Sequence, residues 1–305
     1  MATKDRASHR KKWKKNGDGG KAPRQKGDDL SKDSIKLAIF GLGAAGRARL
    51  AALGEVSGLE LAGILSRRPE LATLSPEMAL ADPAIDALAI SLENTAHSEA
   101  VRRGLEAGKH ILVDYPLALS RAEAEDLFQL ARKKNKLLHV EHIGLLSEEH
   151  LQLKKSAKES GPLLSGEFLF QAGYNEKIAD ETRTGPLPLL ALSRLLQVAD
   201  LWGCPKLEEA RFEKNKSGFS LHLHLRFPEG GILGFTEERR VGLHRRRSLA
   251  ARGQKGPIHW KSGISGGGLF AKDLEFFLRR LKNSQSCYYD EKLMIELIGL
   301  LEQIH

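Results

Sequence analysis

Apolar residues first gather at Ile35-Lys36-Leu37-Ala38-Ile39-Phe40, a short run with the length and composition of a buried strand. It leads directly into Gly41-Leu42-Gly43-Ala44-Ala45-Gly46 and then into a helical stretch from Arg47 to Leu53. The alternation then repeats: further strands are predicted at 59–65, 87–90, 110–113 and 137–140, with helices at 77–81, 97–107 and 121–134. Gly108 suits a helix C-terminus, and Ser120 followed by Glu123 is a capping-box signature. Strands alternating with helices predict a parallel sheet covered on both faces, the Rossmann-type doubly wound arrangement of the α/β class.

After about residue 150 the pattern changes. Residues 163–172, 208–213, 219–227 and 231–237 read as strands, several of them alternating polar with apolar. Leu221-His222-Leu223-His224-Leu225 is the clearest, and it predicts a sheet with one wet face. Helices at 189–201 and from Lys272 onward complete an α+β domain with a large, mostly antiparallel sheet. The expected organisation is a basic tail over 1–33, a nucleotide-binding domain over 34–145 and a substrate-binding domain over 146–305.

Length and composition agree with two cores: 305 residues, 41% of them hydrophobic. No apolar run reaches the roughly 18 residues of a membrane span, and the N-terminus lacks an apolar signal core, so a cytoplasmic protein is expected. Charge adds one correction to the picture. Residues 1–33 hold eleven Lys and Arg against five acids, so this short segment carries +6 of the net +9. Its low apolar content predicts disorder. The cluster from His9 to Lys15 suits an anionic surface, but the single Trp13 is too little for a base-stacking platform, and nucleic acid is not an expected partner. Cys204 and Cys287, 83 positions apart, show neither a redox pair nor metal-ligand spacing, and no metal is expected.

The glycine loop gains meaning from lying between a strand and a helix. Gly41 permits the tight turn, Gly43 lets backbone approach a pyrophosphate, and Gly46 allows close helix–strand packing. Leu42, Ala44 and Ala45 complete the loop, and the helix N-terminus offers its N–H groups to phosphate. At the end of the second strand, where NAD sites place an acid, this chain has Ser66-Arg67-Arg68. Guanidiniums without a carboxylate favour a 2′-phosphate, so the expected cofactor is NADP(H). Ser91, Asn94, His97, Asp114, Tyr115 and His142, near the ends of later strands, are the further cofactor candidates.

The glycine loop, Asn94-Thr95-Ala96-His97 and Ala107 to Pro116 resemble the glucose–fructose and inositol dehydrogenase-like oxidoreductases. That family normally reads Glu-Lys-Pro where this chain has Asp114-Tyr115-Pro116. Its sugar-oxidising members carry an Asp-x-x-x-His pair where this chain has Leu190 and Arg194. The acid/base set for oxidising an alcohol is therefore missing. The biliverdin reductase branch shares these departures. This sequence resembles it from about residue 35 onward, through Ser66-Arg67-Arg68, Gly108 to Pro116, Leu138 to Leu146, Ser193-Arg194-Leu195, Gly242 to Arg247 and Phe270 to Asp273. The resemblance implies NADPH-dependent reduction of the central methine bridge of biliverdin to bilirubin.

For that reaction Tyr115 is the expected positioning group at the nicotinamide end, with a phenol whose usual pKa near 10 makes it a reluctant acid. Arg194, charged on an otherwise apolar helix, is the second catalytic candidate. Arg183, Arg194, Arg245 and Arg247 are the candidates for the two propionates of the bilin. The alternatives are a related NADP-dependent reductase acting on another substrate, and an inactive NADP-binding sensor or scaffold.

Overall fold

The computed structural model describes residues 34–261, 268–283 and 285–305. The disorder expected of 1–33 lies outside the described residues. The opening alternation folds as β1 (Ile35–Phe40), α1 (Ala44–Leu53), β2 (Leu59–Leu65), α2 (Pro76–Ala81), β3 (Ala87–Ile90), α3 (Asn94–Glu106), β4 (His110–Val113), α4 (Arg121–Lys133) and β5 (Leu138–Val140). The five strands form one parallel sheet in the order β2-β1-β3-β4-β5. Every residue of β3, β4 and β5 is buried, as a sheet covered on both faces requires.

Local chemistry starts and stops these elements. The Ser120 hydroxyl accepts from the Glu123 N–H at 3.2 Å, and the Glu123 carboxylate accepts from the Leu119 N–H, which closes the first turn of α4. At the free edge of the sheet, the outward N–H groups of Val140 and His142 donate to the hydroxyls of Tyr289 and Tyr288, both at 2.8 Å. An edge that would otherwise offer unpaired donors is thereby covered.

The second half contains α5 (Glu148–Ser160), β6 (Leu163–Gly173), α6 (Glu176–Ala179), α7 (Glu181–Thr184), α8 (Leu192–Trp202), β7 (Lys206–Asn215), β8 (Gly218–Arg226), β9 (Ile232–Arg240), β10 (Arg246–Gly253), β11 (Gly256–Lys261), α9 (Leu269–Asn283) and α10 (Glu291–Leu301). Its six strands run β11-β10-β6-β9-β8-β7, antiparallel except for β6 beside β9. The inner face carries Phe168, Phe170, Leu221, Leu223, Leu225, Leu233 and Phe235, which share one core with Leu192, Leu195 and Leu196 of α8. His222 and His224 are exposed on the other face, the wet face that the alternation predicts. The predicted α/β fold, a Rossmann sheet followed by a large mostly antiparallel one, is the fold observed.

β10, β11, α5 and the short helices α6 and α7 escape the periodicity. β10 and β11 bury only small or isolated groups on their inner faces, such as Leu249, Ala251 and Ile258, so no strong alternation marks them. α5 buries only His150, Leu153, Ala157 and Ser160. Packing in the second half does not strictly follow chain order. Ala271, Leu274, Phe277, Leu278 and Leu281 of α9 join Ile35, Leu37, Ile39, Ala52 and Leu53 in a single apolar cluster. A helix from the C-terminal end therefore helps cover the first sheet. Among the described residues, no helix is long and apolar enough to cross a membrane.

Candidate active site

The glycine loop lies at the C-terminal edge of β1. Gly41 has φ +96°, and a Cβ there would sit 2.3 Å from the Ser91 carbonyl oxygen. A Cβ on Gly46 would stand 2.0 Å from the Gly41 oxygen, so helix and strand touch at that point. Gly43 is different: nothing lies within 4 Å of its Cβ position, and it opens α1 with no side-chain cap. An open backbone cradle at an uncapped helix N-terminus fits a pyrophosphate. The Leu42 carbonyl accepts from Arg47 at 2.9 Å and Arg68 at 3.1 Å, placing two guanidiniums on the rim. Ser66 accepts from the Arg68 N–H through its hydroxyl at 3.1 Å. Arg67, largely exposed, reaches Glu93. Sequence reasoning missed Arg47, although its place directly after the third glycine was the available signal.

Beneath the loop is a buried charge network. Arg49, fully buried, meets Asp114 at 2.8 Å and Asp273 at 3.8 Å, and donates to the Ser91 hydroxyl at 3.3 Å. Burial alone would lower its pKa, but the charges of Asp114, Asp273 and Glu141 raise it. Asp273 also receives His139 and the Tyr288 hydroxyl, each at 2.8 Å. Arg280 can only donate, so its contact with His139 Nδ1 at 3.1 Å makes that nitrogen the acceptor and leaves Nε2 to carry the proton toward Asp273. Glu141, next to this network, is pushed up to about 8 by burial and by the charges of Asp114 and Asp273. Burial holds His142 down at about 3, so its ring is neutral. Among the described residues neither His142 nitrogen has a hydrogen-bond partner, and the ring stacks on Tyr115 at 5.8 Å.

Where the two sheets approach each other, Tyr115 meets the inner face of the second. Arg194 of α8 donates to the Tyr115 hydroxyl through Nη1 at 3.2 Å. Its Nε and Nη2 grip Glu237 of β9 at 2.9–3.2 Å. Arg239 holds the same carboxylate at 2.8 Å. Burial pushes the Glu237 carboxyl up, but the two guanidiniums overcome this and hold it below the usual range. The guanidiniums of Arg194, Arg239 and Arg245 all lie over the Phe170 ring, at 4.6, 5.3 and 5.8 Å. The result is a cationic wall opposite the Rossmann edge, packed over the buried Phe170 ring and, among the described residues, without a carboxylate–histidine pair for alcohol oxidation.

Residues 35–142 match the family model described as an oxidoreductase family with an NAD-binding Rossmann fold. Biliverdin reductase A of Homo sapiens is 32% identical over 284 residues, covering 88% of this chain and 94% of that protein. Its counterpart in Mus musculus is 34% identical over 271 residues, 82% of this chain and 87% of that one. The chain belongs to the biliverdin reductase family. It is an NAD(P)-dependent oxidoreductase. The solved biliverdin reductase of Synechocystis sp. PCC 6803, in complex with biliverdin and NADP+, has the same fold, with a TM-score of 0.80 at 24% identity over 88% of this chain and 98% of that one.

Against the sequence expectations, the structure brings Tyr115, Arg194 and His142 together and puts Arg245 beside them. Other candidates have acquired different partners. His97 turns both ring nitrogens onto backbone carbonyls, of Pro116 at 2.7 Å and Leu92 at 3.1 Å, and so braces two loops. Asn94 donates to the Thr184 carbonyl at 2.9 Å, which ties α3 to the second half of the chain. Asp114 and Ser91 serve Arg49. Arg183 holds Glu93, and Arg247 holds Gln197 at 2.8 Å and Glu149 at 3.1 Å with its plane over Trp260. Glu237 and Phe170 were not foreseen, although Leu233, Phe235 and Glu237 share one period-2 face, and that signal was present in the sequence.

Proposed function

We propose that this enzyme uses NADPH to reduce the central methine bridge of biliverdin, giving bilirubin. The observation that carries the proposal is the Tyr115–Arg194–Glu237 constellation, set where dehydrogenating relatives need a lysine and a carboxylate–histidine pair. A bound nicotinamide supplies a hydride to the bridge carbon, and a proton must reach a pyrrolic nitrogen.

The glycine cradle would take the pyrophosphate, with Gly41, Leu42, Gly43, Ala44, Ala45 and Gly46 around it. Ser66, Arg67 and Arg68 would take the 2′-phosphate that distinguishes NADPH. His142, neutral and without a partner, would line the nicotinamide pocket beside Tyr115. Arg194 is immobilised by Glu237, so its remaining N–H capacity and positive charge are preorganised for a substrate that gains electron density. The Tyr115 phenol, aligned by Arg194, positions the pigment more than it acidifies it. Arg245 stands exposed above the buried Phe170 ring and is placed to meet a propionate.

Incubation of the purified chain with NADPH and biliverdin tests this directly. The green absorbance should fall as the yellow product grows. Retention of both reactants would reject the assignment.

A further inference from the structure

The loop after β3 carries a carboxylate that the nucleotide reading leaves unused, that of Glu93. Its Oε1 accepts from Arg67, at the end of β2, and from Arg183 of α7 at 2.5 Å. Burial pushes this carboxyl up, but the hydrogen bond from Arg183 and the charges of Arg67 and Arg183 hold it below the usual range, so it is an anion. The two guanidiniums differ in freedom. The Arg67 side chain is 79% exposed, whereas Arg183 sits on a segment fastened to α3. There the Thr95 hydroxyl donates to the Thr182 carbonyl and Asn94 donates to the Thr184 carbonyl, both at 2.9 Å.

We propose that Glu93 is a nucleotide-selectivity residue, an internal anion that competes with the 2′-phosphate of NADPH for Arg67 and is partly neutralised by Arg183 from the other half of the chain. The inference rests on the placement of the 2′-phosphate at Arg67 and Arg68 given above. The physical argument is one of charge. A carboxylate and a phosphate monoester seek the same planar donor fork, and two anions cannot share one exposed guanidinium without repelling each other. A nucleotide must therefore draw Arg67 away from Glu93, and Glu93 keeps Arg183 as its remaining partner. Arg183 thereby reduces the repulsion felt by the incoming phosphate without touching it.

Titration calorimetry of the full chain with 2′,5′-ADP and with 5′-AMP, which lacks the 2′-phosphate, separates the cases. Glu93→Gln should tighten 2′,5′-ADP about two- to fivefold, the range an exposed ion pair commands, and leave 5′-AMP unchanged. The gain should shrink in high salt. Arg183→Gln should weaken 2′,5′-ADP in the parent chain but have no effect in the Glu93→Gln background, because it acts only through that carboxylate. No selective tightening in Glu93→Gln, or an undiminished Arg183→Gln effect in the double variant, overturns the role of Glu93. Arg67→Ala is the control for the underlying placement. If it fails to weaken 2′,5′-ADP relative to 5′-AMP, the 2′-phosphate lies elsewhere and both readings fall. Glu93 precedes α3 without making a side-chain cap, so these substitutions leave the helix start intact.

Discussion

At the scale of single residues, burial decides which charges are fixed and which are free to act. Arg194 spends two of its nitrogens on Glu237 and keeps one face toward Tyr115. Arg194→Ala should lower kcat/KM for the bilin by at least about tenfold, the worth of one charge-assisted hydrogen bond, while NADPH binding measured by fluorescence stays within twofold or so. Arg239 remains on Glu237 in that variant, so the carboxylate does not become an unpaired buried charge. Glu141 makes a pH prediction whose sign can be worked out. The unfolded chain loses this proton near the ordinary 4.5, whereas the folded one holds it to about 8. Between those values the native state binds more protons, so this contribution to stability falls as pH rises. His142 works in the opposite sense: its folded pKa of about 3 against 6.5 makes stability rise with pH across that lower window. The two oppose each other at mildly acid pH, and above 6.5 only Glu141 remains of the pair. Glu141→Gln should therefore flatten the decline in urea midpoint between pH 6.5 and 8, and a decline as steep as the parent's would refute the assignment.

At the scale of elements, two helix faces make contrasting predictions. Phe277 of α9 is completely buried against Leu37, Ile39 and Leu274 in the cluster that covers the first sheet. Phe277→Ala should cost about 3–5 kcal/mol in denaturant unfolding, since removing the ring leaves a cavity under a parallel sheet. Ser120→Ala removes only one cap bond of α4, and about 1 kcal/mol is expected in the same measurement. A reversal of that order would mean that α9 is peripheral. The glycine loop belongs to this scale as well. Gly46→Ala drives a methyl group to 2.0 Å from the Gly41 carbonyl, backbone that cannot yield without opening the turn. Nucleotide binding should be lost with it, as checked by NADPH fluorescence.

Across the whole molecule, the two sheets are joined by specific bonds as well as by apolar contact. Asn94 and Thr95 reach the 182–184 segment, Tyr115 meets Arg194, and α9 returns to β1. A ligand that binds this folded arrangement must stabilise all of it together. NADPH at 100 times its dissociation constant should add about 2.7 kcal/mol, read as a single upward shift of one thermal transition. Two transitions, of which only one responds, would show that the halves unfold separately.

Chain-local features were enough to specify the strand–helix alternation, the glycine loop, the Ser120 cap and the Ser66-Arg67-Arg68 run at the end of β2, because each depends on periodicity, backbone freedom or charge within a few residues; the Glu93 carboxylate beside Arg67 comes from a segment 26 positions later. The resemblance to the dehydrogenase-like family, read residue by residue, marked Tyr115 and Arg194 as departures from a dehydrogenating pattern. Partnership could not be read that way. Glu237 opens the run Glu237-Glu238-Arg239-Arg240 on the face of Leu233 and Phe235, but only the pairing of β9 with β6 and β8 sets it against an arginine 43 positions earlier. The placement of α9 over β1, the commitment of Arg183 to Glu93 and the shared Arg49–Asp114–Asp273 network likewise join segments far apart in sequence. Long-range packing sets the dielectric and the distances between charges, and those decide which arginine is a brace and which faces a ligand.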